Sequence, residues 1–246
     1  MVTASVEPND DAAHAASADN HDPYFERPGA LVYYRQPPLY CGPIAERNAN
    51  DTMAVNNLNA MSSYFPSRGI QYMEVEHVQF AEAANTDEYH APKYNLNALT
   101  DDLQLDIGRT TGSILVTYGA FTGIIAQYYL ESWALSGLVM IDPVLPLATQ
   151  FESRIDNGGE EAKLIRSQFD DSVANRKLKL EPGSAPMLIL SCCSSSGDDD
   201  FLAGTAQAVA DYHYSDYMRI SSDSKNTESV ELNDIIFKWI DDNVPI

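Results

Sequence analysis

Short apolar runs recur along this chain, and between them lie longer segments whose apolar residues return every three or four positions. The short runs fit strands covered on both faces, and the longer period fits helices with one buried side. Ala30-Leu31-Val32-Tyr33-Tyr34 reads as a buried strand stopped by Pro37 and Pro38. Further strands are expected at Ile70 to Val75, Ser113 to Val116, Leu138 to Ile141, Met187 to Leu190 and Tyr217 to Ile220. Helices are expected across Met53 to Tyr64, at Leu96, Leu99, Leu103 and Ile107 with Gly108 as cap, and across Phe121 to Trp133, Leu202 to Tyr212 and Leu232 to Asn243. Such alternation implies right-handed crossovers, so the fold class is α/β: a mainly parallel central sheet with helices on both faces.

A chain of 246 residues with 44% hydrophobic content can enclose one full core. Residues 1–22 carry five acidic and no basic side chains and no periodic apolar face, which marks an acidic arm that is flexible or ordered by a partner. Residues 23–246 are expected to form the domain. Within it, the stretch from about Leu147 to Lys177 reads as helical and polar and is broken in two by Gly158-Gly159.

With 36 acidic against 15 basic side chains, the formal charge of -21 repels nucleic acid phosphates and anionic lipid headgroups. Neither nucleic acid contact nor membrane insertion is expected. A basic partner surface, a salty environment or simple solubility would each suit this charge. Cys41, Cys192 and Cys193 form neither a disulfide framework nor a spaced ligand set, so no metal and no cofactor is implied. No basic segment followed by an apolar run opens the chain, and no stretch nears the roughly twenty apolar residues of a membrane helix. A soluble protein of a reducing compartment, cytoplasm or organelle interior, is expected.

The segment from Ser113-Ile114-Leu115-Val116-Thr117-Tyr118-Gly119 through Ala120-Phe121-Thr122-Gly123-Ile124-Ile125-Ala126-Gln127 has the order strand, sharp turn, helix. Tyr94 to Leu103 precedes it as a helix, and Leu138-Val139-Met140-Ile141-Asp142-Pro143 follows as a strand. Together these resemble the nucleophile-elbow region of the α/β-hydrolase superfamily, in a match spanning roughly 29–243. The resemblance implies that family's sheet, with 147–185 as a short helical cap insertion.

It also implies four chemical positions, and each departs from the family pattern. The elbow G-x-S-x-G needs an exposed nucleophile between small neighbours. Counting back from Ala126-Gln127 puts Ala120 there, whereas the flanking glycines Gly119 and Gly123 centre Phe121, and neither side chain can attack a carbonyl. Thr117 and Thr122 lie off the centre and read as strand and turn residues. The base position falls in the loop from Ser221 to Val230, at Ser222, where no imidazole can take a proton from the nucleophile. The five histidines are His14, His21, His77, His90 and His213, and the last precedes the final strand, at the end opposite the elbow. Asp198, with Asp199 and Asp200, stands at the acid position in a loop that also carries Cys192-Cys193-Ser194-Ser195-Ser196, but a carboxylate without a base to orient has no catalytic task. The oxyanion-hole stretch reads Arg35-Gln36-Pro37-Pro38, and proline has no N–H to donate.

The expectation is therefore a catalytically inactive α/β-hydrolase-like protein, with no catalytic residues, that acts as a structural or accessory subunit of a larger assembly. Its partners would be other protein subunits, including ones with a basic surface. Small-molecule binding in the relic pocket is the alternative, and an enzyme with relocated residues such as Thr122 with His77 or His90 is a third reading.

Overall fold

Each strand is followed by a chain reversal that returns it to the same end of one sheet, so all six strands run parallel. The computed structural model describes residues 29–34, 52–75, 94–108, 112–146, 178–193, 199–221 and 232–244. The strands are β1 (Ala30–Tyr34), β2 (Gln71–Val75), β3 (Ile114–Tyr118), β4 (Gly137–Ile141), β5 (Met187–Cys193) and β6 (Asp216–Ser221). Their order across the sheet is β2-β1-β3-β4-β5-β6. The helices are α1 (Thr52–Ser67), α2 (Leu96–Ile107), α3 (Ala120–Leu130), α4 (Asp199–His213) and α5 (Leu232–Asn243).

Alternation along each strand divides the core in two. Val32, Tyr34, Leu115, Leu138, Met140 and Ile189 meet α2, α3 and α4 on one face. Leu31, Tyr33, Val116, Val139, Ile141 and Leu190 meet α1 and α5 on the other. The doubly wound arrangement expected of the strand and helix alternation is thus present. The stripe Leu96, Leu99, Leu103 and Ile107 is buried along α2, and Asn95 caps its start by accepting from the Ala98 amide at 3.0 Å. Burying each such leucine contributes about 1.5–3 kcal/mol. Helix α3 differs, because all of its residues are buried.

Several boundaries move. Pro66 lies in the last turn of α1 rather than beyond it, and the helix stops at Gly69, whose φ of 79° ends the right-handed path while the Ile70 amide returns to the Phe65 carbonyl at 3.0 Å. Strand β5 runs on through Cys192 and Cys193, which the sequence places in a loop, because β6 pairs with it as far as Cys193 and Ser221. Ser221 accordingly ends a strand, and Asp199 and Asp200 open α4 instead of lying in an acidic loop. The arm at 1–22 and residues 147–177 of the cap at 147–185 fall outside the described residues; of the remainder, Leu178 and Leu180 are buried in the core. Among the described residues no helix is long and apolar enough to cross a membrane.

Candidate functional site

In an open parallel sheet the crevice for a ligand forms beyond the carboxyl ends of the strands, where the strand order reverses. Here β1 leads to β2 on one side and β3 lies on the other, so the reversal falls between Tyr34 and the end of β3. One residue, Gly119, connects β3 to α3. Its φ of 92° and ψ of 169° belong to a region that side-chain-bearing residues rarely enter. Its amide donates to the Ile141 carbonyl at 2.8 Å, tying the corner to β4, and its carbonyl accepts the first helical bond from Gly123 at 3.1 Å.

The corner conformation therefore falls on Gly119, one residue before Ala120, which is the first residue of α3 and is buried. Gly123 serves a close approach: a Cβ there would stand 3.1 Å from Cβ of Pro143. Phe121, between the two glycines, turns into the core and meets Tyr94 edge-on, with ring centroids 5.3 Å apart. Tyr34 packs in the same buried cluster. Burial pushes its phenol above the ordinary range, and the carboxylate of Asp102, then Tyr94 and Asp106, add to the shift. The reversal point thus holds aromatic side chains in contact.

The two threonines near the corner are strand and helix residues. Thr122 Oγ1 donates back to the Tyr118 carbonyl at 2.8 Å. Thr117 is wholly buried on β3, in register with Tyr34 and Met140, and its hydroxyl has no partner among the described residues.

Sequence reasoning missed Asp142. This buried residue follows β4 with a φ of 49°, which Asp tolerates better than most residues. Its amide donates to the Leu190 carbonyl at 2.9 Å, and its Oδ1 accepts from the Cys192 amide at 2.9 Å, extending the bonding of β4 with β5 past the end of β4. The only signal was the carboxylate at a strand end in Ile141-Asp142-Pro143.

Helix α3 also holds Gln127, which is fully buried. Its Nε2 donates to the carbonyls of Gly123 at 3.0 Å and Val144 at 2.9 Å, which leaves Oε1 facing Nε2 of His213 at 3.0 Å. His213 packs at the end of α4, where its carbonyl accepts from the Gly183 amide ahead of β5, so it lies at the opposite end of the sheet from the corner. Burial lowers its pKa from 6.5 to about 4, and the imidazole is neutral. On α3 the phenol of Tyr129 donates to Gln104 Oε1 of α2, and burial pushes it up to about 12.

Ala120 is the one expected site position among the described residues. Arg35, Gln36, Pro37, Asp198 and Ser222 lie outside them, as do Cys41 and His14, His21, His77 and His90. Among the described residues no group of three or more His, Cys, Asp or Glu side chains is placed to hold a metal ion.

No protein-family model and no curated protein sequence matches this chain. Its fold is similar to solved structures. The Vlm2 thioesterase domain bound with a dodecadepsipeptide is 12% identical, with 90% of this chain and 96% of that one covered and a TM-score of 0.47. A proline iminopeptidase-related protein from Thermus thermophilus is 14% identical, with coverage of 90% and 91% and a TM-score of 0.46. An α/β hydrolase from Sphaerobacter thermophilus is 10% identical, with coverage of 87% and 93% and a TM-score of 0.45. At these identities the similarity is one of fold, the arrangement of strands and helices.

Proposed function

We propose that this chain is a catalytically silent α/β-hydrolase-like protein that serves as a binding or structural subunit of a larger protein assembly. The observation that carries this reading is the corner itself, where Gly119 takes the strained conformation and Ala120 follows it. A hydrogen and a methyl group offer no electron pair to a carbonyl, so acyl transfer at this turn has no starting step. Two features support the reading further. Phe121, Tyr94 and Tyr34 are buried together beside the corner, as expected of a packed body more than of a substrate channel. The charge of -21 favours partners that present basic surfaces, and attraction of that kind weakens as salt screens it.

The test is the native mass of the protein in gentle extracts of its source, together with recovery of partners by the full chain and by a version lacking residues 1–22, at low and high ionic strength. The proposal expects migration well above the 27.1 kDa of one chain and partners released by salt. A monomer without partners at low salt contradicts the subunit role. Equal recovery by both versions removes the acidic arm from the interaction while leaving the subunit role in place.

A further inference from the structure

We propose that the Gln127–His213 bond is an acid-sensitive latch that docks the C-terminal turn of α4 onto α3. The two donor bonds of Gln127 to Gly123 and Val144 fix its amide, so His213 Nε2 must carry a hydrogen and donate to Oε1. The lone pair then sits on Nδ1, which is buried and has no partner among the described residues. A proton added there finds no acceptor among the described residues, and it places a full charge in the apolar cluster of Ala206, Val209, Ala210 and α3. The turn must open for that proton to be hydrated.

Among the described residues no neighbouring charge offsets this. From α4 itself, the Tyr212 ring stands edge-on to the imidazole at 4.9 Å between centroids, while Asp211 is exposed and accepts from Gln207 Nε2 at 2.9 Å. From α3 comes Gln127, and Glu131 turns to the Lys179 amide. The chain after β4 contributes the Val144 carbonyl, and the turn before β5 contributes the Gly183 amide with Glu181 exposed. At the start of β6, Asp216 accepts from Trp239 Nε1 at 3.0 Å on the opposite face. The adjoining Tyr214, with φ 51° and 83% exposure, leaves the turn next to solvent.

Hydrogen exchange on the full chain tests the latch at about pH 7.5 and about pH 5, corrected for intrinsic rates. With the closed imidazole titrating at about 4 and the open one at 6.5, opening of the Ala210 to His213 turn is expected to increase about 30-fold between the two conditions, and at both pH values the turn should open more readily than the global opening that exposes Val139 in β4. In His213→Gln, which keeps an amide donor but does not titrate in this range, the increase should fall below about twofold. Equal acceleration in both proteins, or a turn that opens only together with Val139 and the rest of the sheet, would overturn the latch. If the variant does not fold, nitrogen NMR of the unaltered protein decides: the latch expects a neutral imidazole protonated at Nε2 and resisting protonation until well below pH 6.5, and titration near 6.5 contradicts it.

Discussion

The Gly119 amide donates to the Ile141 carbonyl at 2.8 Å, and this bond fixes the turn between β3 and α3 against the neighbouring strand. It also fixes which residue adopts φ 92° and ψ 169°. Gly119→Ala adds a Cβ in a region nearly reserved for glycine, so the variant should lose about 1–3 kcal/mol in denaturant unfolding. An unchanged midpoint would show that the corner relaxes to another conformation without cost.

Ala120→Ser puts a hydroxyl at the first position of α3, one residue past the corner. The variant should fold with stability close to the parent and should gain no ester cleavage, because a hydroxyl without an aligned base and oxyanion donors is a poor nucleophile. Ester turnover that appears with this single change would reveal a base already aimed at position 120.

Asp142 combines a positive φ with a side chain that accepts from Cys192. Asp142→Asn keeps both, since Asn tolerates the left-handed region and retains a carbonyl oxygen, and should cost under about 1 kcal/mol. Asp142→Val loses both and should cost about 2–4 kcal/mol. Comparison of the two unfolding midpoints checks the assignment, and equal losses would mean that the carboxylate charge matters more than the bond.

Gln127 satisfies two buried carbonyls and one imidazole nitrogen. Gln127→Leu should cost about 3 kcal/mol at neutral pH by leaving those groups unpaired. Acid acts on the same network. The unfolded chain binds a proton at His213 near pH 6.5 and the folded chain only near about 4, so stability is full above that window. It falls as pH drops through the window, by up to about 3 kcal/mol. A His213→Gln protein should show a flatter profile, measured as unfolding midpoint against pH.

Local pattern made most of the fold legible, and distant pairing made the rest illegible. Leu96, Leu99, Leu103 and Ile107 reveal α2 because that helix is covered on one side only. Helix α3 is buried all round, so its residues show no such stripe, and the sequence starts it at Phe121 and ends it at Trp133 in place of Ala120 and Leu130. At the corner, counting from Ala126-Gln127 indicates Ala120, but the strained conformation depends on a bond from Gly119 to Ile141 that no local count contains. Asp142 depends on Cys192 and Gln127 on His213, contacts formed only when the sheet and helices assemble. The extension of β5 to Cys193 likewise depends on pairing with β6.

A covalent probe of the corner needs no knowledge of a substrate, because an activated hydroxyl reacts with it whatever the acyl group it would normally carry. Purified protein is exposed to a serine-reactive fluorophosphonate, examined by intact mass and peptide mapping, and assayed beside it on a broad panel of esters and thioesters. With Gly119 and Ala120 at the turn, the mass should stay unchanged and hydrolysis should stay at the buffer rate. A stoichiometric adduct on any residue beside the corner, or turnover that follows the protein through purification, would contradict the account.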